Sequence, residues 1–117
     1  MKLIEKPISK KDVKEMAVKS FGSFVKAVVD IKKEIMAVDA PLHADEEAHL
    51  LSLGSQQENI WGINIYPDFH GPDFVEFDSM INLRPQQENI SRGIDNPRIK
   101  QSVYAVVQKL IPDYATP

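Results

Sequence analysis

Two stretches of the chain alternate between apolar and polar residues, namely Ile60–Tyr66 and Phe74–Arg84. A period of two places successive side chains on opposite faces of a sheet, so each stretch is predicted to be a strand. The short segment between them predicts that the two strands pair as a hairpin. One face of this pair is predicted to be buried under helices, and it carries Trp61, Ile63, Ile65, Val75, Phe77, Ile81 and Leu83.

The opposite face of the predicted pair is polar, as is usual for an antiparallel sheet with one solvated side. Its polar residues are Asn64, Glu76, Asp78, Asn82 and Arg84, and Lys26 and Asp30 are predicted to join them from a neighbouring strand. Three apolar residues also lie on this face, namely Ile60, Phe74 and Met80. Because exposed apolar groups often mark contact sites, we predict a homodimer through this face.

Three further segments repeat apolar residues at helical spacing, and residues typical of helix caps bound them. The helices are predicted to run from about Lys10 to Ser20, over His43–Leu53, and from Pro97 to just before Pro112. Ser9 and Asn96 are the predicted N-caps, and Gly54 is predicted to end the second helix. Between the first two helices, Phe24–Asp30 and Glu34–Asp39 are predicted to form another hairpin.

The resulting order is helix, two strands, helix, two strands, helix. Strands that come in adjacent pairs favour an α+β fold with a four-stranded, mainly antiparallel sheet and helices packed on one face. A helix between strand pairs also allows one parallel pairing, so a mixed sheet remains an alternative. The length fits a single domain over residues 1–117, with a frayed tail at 113–117.

Composition excludes several kinds of function. The chain has no cysteine, so it has no disulfide, thiolate metal site or cysteine nucleophile. Fourteen basic residues stand against seventeen acidic ones, a balance that argues against nucleic-acid binding. The chain start does not resemble a signal peptide and no apolar run has the length of a membrane span, so we expect a cytoplasmic protein without a membrane partner.

One group of residues has a spacing used in metal sites. His43, Glu46 and His49 are three residues apart, and Glu46 with His49 forms the Glu-x-x-His pair found on di-iron bundle helices. Such sites need a second copy on another helix, and this sequence has none. These three residues are therefore only weak candidate ligands, and the sequence predicts no metal and no cofactor.

A second group is suited to binding an anion. Arg84 is predicted at a strand end, and it leads into a polar loop, Pro85–Asn96, that contains Arg92 before a glycine. Long loops beside rigid strands often carry functional sites, and guanidinium groups bind carboxylates or phosphates with paired hydrogen bonds. Asn64 and Asn82 are further candidate binding residues, and Asp78 or Glu76 would be a candidate general base.

These observations support two hypotheses. The first is a small binding or interaction protein that uses the polar sheet face and the 85–96 loop. The second is an enzyme acting on an anionic small molecule, with Arg84 and Arg92 as anion clamps. The second hypothesis requires Arg84, Arg92 and Asp78 to line one cleft.

Several motifs resemble those of a family of small prokaryotic proteins of unknown function. They are Trp61-Gly62-Ile63-Asn64-Ile65-Tyr66-Pro67, Phe77-Asp78-Ser79-Met80-Ile81-Asn82-Leu83-Arg84-Pro85, His43-Ala44-Asp45-Glu46-Glu47 and Ser91-Arg92-Gly93. The resemblance extends over nearly the whole chain and implies a soluble prokaryotic protein. It implies no activity, ligand or catalytic residue.

Overall fold

A computed structural model describes all residues of the chain, Met1–Pro117. The chain forms three helices and one antiparallel sheet of five strands, in the order β1-β3-β2-β4-β5. The strands are β1 (Lys2–Ile4), β2 (Val25–Asp30), β3 (Ile35–Val38), β4 (Ile60–Ile65) and β5 (Val75–Glu76). The helices are α1 (Lys10–Lys19), α2 (His43–Ser52) and α3 (Pro97–Leu110). No helix is both long enough and apolar enough to cross a membrane.

The α+β class, the antiparallel sheet and the three helices agree with the sequence, but the strand count and the element order do not. β1 precedes α1 and was not predicted, because three residues at an edge are too few for a detectable alternation. The prediction of a strand over Phe74–Arg84 is also wrong, except for Val75 and Glu76 near its start. The chain pairs with β4 only at Val75 and Glu76, and it turns through a 3₁₀ helix at Met80–Asn82.

Helices cover both faces of the sheet, whereas the sequence predicted helices on one face. α1 and α3 pack on the face that carries Trp61, Ile63 and Ile65, all buried as predicted. The other face carries Val28, Ala37 and Ile60, and these residues pack against Leu50 of α2. Because β2 and β4 have apolar residues at the positions of both faces, each face needs cover to exclude water.

The segment predicted as the strand Phe74–Arg84 leaves the sheet after Glu76, so the burial of its apolar residues differs from the prediction. Phe77 is half-buried at the edge of the main core. Ile81 is half-buried on the α2 side of the sheet, and Leu83 is exposed. Of the apolar residues expected on the solvated face, Ile60 and Phe74 are buried and only Met80 is exposed. The apolar patch that motivated the homodimer prediction is therefore much smaller than expected.

Local capping signals were predicted correctly. The side chains of Ser9 and Asp12 each accept a hydrogen bond from the other residue's backbone N–H, which forms a capping box at the start of α1. Asn96 caps α3 by accepting a hydrogen bond from the N–H of Arg98 at 2.9 Å. Gly54 follows α2 with a positive φ of 96°, a conformation that favours glycine.

Candidate functional site

The outer edge of β4 is completed partly by side chains rather than by a strand. β5 pairs with β4 only at Asn64 and Ile65. At Gly62 the side-chain amide of Asn82 takes the place of a strand, since its Oδ1 accepts the Gly62 N–H at 2.8 Å and its Nδ2 donates to the Gly62 carbonyl at 3.0 Å. Asn82 is fully buried. A residue predicted to bind ligand therefore satisfies backbone groups of the sheet.

Arg84 has a similar role at the next position along this edge. Its guanidinium donates to the carbonyls of Ile60 at 2.5 Å, Gln57 at 2.7 Å and Ile81 at 2.9 Å. It also lies 4.4 Å above the ring of Trp61, and Arg84 is only 3% exposed. Burial lowers the pKa of this guanidinium from its ordinary value. Its donors are directed at the protein's own carbonyls, so an anion outside the fold has no access to them.

The 85–96 loop is folded by its own polar side chains. The Nδ2 of Asn89 donates to the carbonyls of Asn82, Ser91 and Gly93, and its Oδ1 accepts the N–H of Asp95. The Asp95 carboxylate accepts the Ser91 hydroxyl at 2.6 Å, and this hydrogen bond helps to lower the pKa of Asp95. The polarity of this loop thus has a structural explanation.

Arg92 and Asp78 form an ion pair on the surface. Nε of Arg92 lies 2.6 Å from Oδ1 of Asp78, and both side chains are about half exposed. Arg84, by contrast, is enclosed beside Trp61. The structure brings Arg92 and Asp78 together, and it does not place Arg84 with them on an accessible cleft.

His43 and Glu46, two of the weak candidate ligands, lie buried between α2 and the sheet. Nε2 of His43 is 2.8 Å from the carbonyl of Ile63, which can only accept, so this nitrogen carries the proton. Burial lowers the pKa of His43. Glu46 accepts the N–H of Ala40 through Oε2, and burial raises its pKa to about 9. No group of three His, Asp or Glu side chains in the chain is arranged to hold a metal ion.

The polar face remains open at the end of β4, beyond the start of α2. There the side-chain amide of Asn64 donates to Oε1 of Glu76 at 2.8 Å, and the hydroxyl of Tyr66 donates to the same oxygen at 3.2 Å. Burial, followed by the charge of Glu76, raises the pKa of Tyr66. Glu76 is exposed, and two neutral donors fix its orientation.

Four aromatic side chains form a continuous surface beside this carboxylate, and we call them the aromatic ladder. Phe21 stacks on Phe24 with ring centroids 4.7 Å apart, and Phe24 stacks on Tyr66 at 5.3 Å. Tyr66 contacts Phe69 at 6.1 Å in a tilted arrangement. The two end residues are strongly exposed, Phe21 at 44% and Phe69 at 53%.

Sequence reasoning missed this ladder. Phe24 and Tyr66 immediately adjoin the last paired residues of β2 and β4, Val25 and Ile65, and therefore meet across the sheet. Phe21 and Phe69 lie three residues outward in the flanking loops. The chain has nine aromatic residues (five Phe, three Tyr, one Trp), and four of them lie at or just beyond the ends of β2 and β4. This clustering is the sequence feature that could have indicated the ladder. It became visible only once the pairing of β2 with β4 was known.

A groove adjoins each end of the ladder. The first, which we call the Phe69 groove, has a volume of about 580 Å³ and is lined by Tyr66, Phe69, Pro72, Asp73, Val75 and Glu76. The second has a volume of about 420 Å³ and is lined by Lys19, Ser20, Phe21, Asp39, Ala40 and Pro41. The ladder and its two grooves form one elongated surface at the open end of the sheet.

Comparisons with known proteins identify the family but no activity. Neither the curated proteins nor the solved structures gave a match to this chain. One family model, described as "Protein of unknown function (DUF5674)", matches residues 2–110, which include every strand and helix. The chain therefore belongs to this family of unknown function.

Proposed function

We propose that the protein is a small binding protein that recognises an extended segment of a partner protein along the aromatic ladder. The observation that carries this proposal is the pair of exposed phenylalanines, Phe21 and Phe69, at the ends of four contacting rings. Exposed aromatic groups on a rigid scaffold offer large contact area at little entropic cost, and they are enriched at binding hot spots.

The shape of the surface favours an extended partner. The rings follow one another in steps of 4.7–6.1 Å, and a groove lies beyond each end. Side chains on one face of an extended peptide are about 6.7 Å apart, close to the longest of these steps, so its apolar groups can lie along the rings while two others enter the grooves. Asn64 and Glu76, both named from the sequence, form the polar border of this surface.

The competing hypothesis is an enzyme that clamps an anion between Arg84 and Arg92. It requires free donors on both guanidinium groups. Those of Arg84 are directed at backbone carbonyls inside the fold, and Arg92 is paired with Asp78. No specific observation favours this second function, so we place the binding function first.

The test is selection of random twelve-residue peptides displayed on phage against the folded protein. Selected peptides are expected to bind in the micromolar range and to lose affinity at least about tenfold with Phe21→Ser or Phe69→Ser, since aromatic anchors dominate such interfaces. Ile90→Ser is the matched control, because Ile90 is an exposed apolar residue outside the ladder. Failure to select any peptide, or equal binding by the ladder variants and wild type, would overturn the proposal.

Self-association is the alternative occupant of the ladder. Sedimentation velocity over a range of protein concentrations measures it directly. A monomer at all concentrations is expected. A dimer that Phe21→Ser or Phe69→Ser converts to monomer would show that a second copy occupies this surface, and would replace the peptide proposal with a homodimer through the ladder rather than through Ile60, Phe74 and Met80.

A further inference from the structure

We propose that the Phe69 groove binds the guanidinium group of an arginine side chain in the partner. This inference rests on the proposed binding function and specifies the chemistry that one end of the surface recognises. Its basis is the combination of two aromatic walls, Tyr66 and Phe69, with two carboxylates, Asp73 and Glu76, in one open groove.

The charge of the groove is uncompensated. No lysine or arginine lines it, and neither Asp73 nor Glu76 takes part in any of the four ion pairs of the protein. Asp68, in the turn just before the groove, differs in this respect because Lys14 neutralises it at 2.7 Å. The fold thus leaves two carboxylates without a cation at the place where two rings are exposed, which complements a positively charged ligand.

The aromatic walls favour the same ligand. A cation within about 6 Å of an aromatic ring is attracted to the ring face, and a guanidinium group also stacks on that face through its planar shape. The protein contains this type of contact in its interior, where Arg84 lies over Trp61. Tyr66 and Phe69 are tilted against each other by 56°, so the groove presents two differently oriented rings.

Glu76 is held in position before any ligand arrives. Asn64 and Tyr66 both donate to Oε1, and neither donor neutralises the carboxylate. Asn64 is itself buried, so the position of Glu76 is set by the sheet rather than by solvent. Oε2 accepts no hydrogen bond within the protein, which leaves it free for a guanidinium N–H. The guanidinium group of an arginine can then donate a hydrogen bond to Oε2 of Glu76 while the plane of the group lies against an aromatic ring.

The second groove differs in charge and serves as an internal comparison. Lys19 and Asp39 both line it, so its formal charge is balanced. Of these two grooves, only the Phe69 groove has an uncompensated negative charge. A partner bound along the ladder would therefore place its arginine at the Phe69 end and not at the Phe21 end.

The test is a titration followed by amide NMR with N-acetyl-arginine amide, which carries one guanidinium and no other charge. N-acetyl-citrulline amide, nearly identical in shape but neutral, is the matched ligand. The arginine probe is expected to shift the amides of Tyr66, Phe69 and Glu76, and to bind at least about tenfold more tightly than the citrulline probe, since the charge-assisted hydrogen bonds are lost with the charge. N-acetyl-lysine amide should bind more weakly than the arginine probe, because an ammonium group cannot stack or fork.

Protein variants complete the test. Glu76→Gln removes the charge but keeps an oxygen that can accept from Asn64, so the fold should be retained while arginine affinity falls about tenfold. Glu58→Gln, at an exposed position outside the groove, should leave affinity unchanged. Equal binding of the arginine and citrulline probes, or unchanged arginine affinity in the Glu76→Gln variant, would overturn the inference.

The outcomes separate this inference from the proposed function. If displayed peptides bind the ladder without requiring an arginine, the binding function stands and the guanidinium site is wrong. If the arginine probe binds the Phe69 groove but no peptide is selected, the site stands and the proposed protein partner is wrong.

Discussion

Two arginines of similar appearance in the sequence have opposite environments in the fold. Arg84 is buried, stacked on Trp61 and bonded to three backbone carbonyls. Arg92 lies at the surface and pairs with Asp78. A buried guanidinium that satisfies carbonyls is an obligatory part of the fold, whereas a surface ion pair contributes little to stability because solvent screens it.

This contrast predicts different tolerance to the conservative change to lysine. Arg84→Lys keeps the charge but loses the planar fork, leaving carbonyls unpaired, and it should lower the free energy of unfolding by about 2–4 kcal/mol. Arg92→Lys should lower it by less than about 0.5 kcal/mol. Urea titration monitored by the fluorescence of Trp61 measures both. Equal losses for the two variants would show that the burial assigned to Arg84 is wrong.

At the scale of elements, the outer edge of β4 depends on the close approach of the Ser79–Asn82 segment. Gly62 allows this approach, because a Cβ built there would lie 2.6 Å from Cβ of Ser79 and 2.7 Å from its Oγ. Such distances are shorter than any ordinary contact, so a side chain at position 62 would push the segment off the sheet. The hydrogen bonds between Asn82 and Gly62 would then lengthen.

Gly62→Ala is therefore expected to reduce the free energy of unfolding by about 1–3 kcal/mol through overpacking. Ser79→Gly removes the two nearest atoms that the new methyl group would meet and leaves only Cγ1 of Ile81, at 3.1 Å. In the Gly62→Ala, Ser79→Gly double variant, the loss attributable to Gly62→Ala should shrink, giving a favourable coupling energy in a double-mutant cycle. Strict additivity of the two single changes would contradict the close packing of these residues.

The contact of α2 with the sheet depends on a buried carboxyl group. Glu46 is fully buried, one of its oxygens accepts from Ala40 and the other has no partner. Burial raises its pKa from 4.5 to about 9, so the folded protein favours the protonated form. A pKa higher in the folded than in the unfolded state means that stability is lost as the pH rises between those two values.

Glu46→Gln tests this linkage, because glutamine keeps the acceptor and cannot ionise. The variant and wild type should be about equally stable at pH 4, below both pKa values. The variant should become the more stable protein as the pH rises, by about 3 kcal/mol at pH 7. Thermal or urea unfolding across pH 4–9 measures this difference, with Glu15→Gln on the surface of α1 as the control. A difference that does not grow with pH would show that Glu46 is ionised in the fold.

At the scale of the whole molecule, the α2 side of the sheet has two parts with different roles. One part lies under α2 and the 79–95 segment, where polar side chains such as Asn82 and Arg84 satisfy backbone groups. The other lies at the ends of β2 and β4, where the aromatic ladder and Glu76 remain accessible. Polar residues therefore have a structural role in the first part, and the exposed aromatic residues of the second form the surface that we propose for recognition.

This division explains which features could be predicted from sequence. Helices and their caps depend on neighbours within a few residues, so Ser9 and Asn96 were identified correctly. The segment after Glu76 alternates like a strand, but Asn82 and Arg84 replace strand hydrogen bonds with their side chains. The backbone groups at the edge of β4 can be hydrogen-bonded by a neighbouring strand or by polar side chains. The alternation of apolar and polar residues cannot distinguish these two cases, because both place a polar residue at every second position.

The candidate site was harder to predict for a related reason. The polar and charged residues of the 85–96 loop predicted a binding site there. In the structure, Asn89 of this loop hydrogen-bonds to the loop's own backbone. The ladder joins residues more than forty positions apart, such as Phe24 and Tyr66, and no local pattern links them. Only the register of β2 against β4 brings them together, and that register was not available from a single sequence.

We propose that recognition takes place at the ladder end of the sheet and not at the 85–96 loop. The most direct measurement is the amide NMR spectrum of the protein titrated with a peptide selected by display. The largest shifts are predicted at Phe21, Phe24, Tyr66 and Phe69, with the amides around Arg92 unchanged. Shifts centred on Arg92 and the 85–96 loop, with the four ladder residues unaffected, would contradict the account.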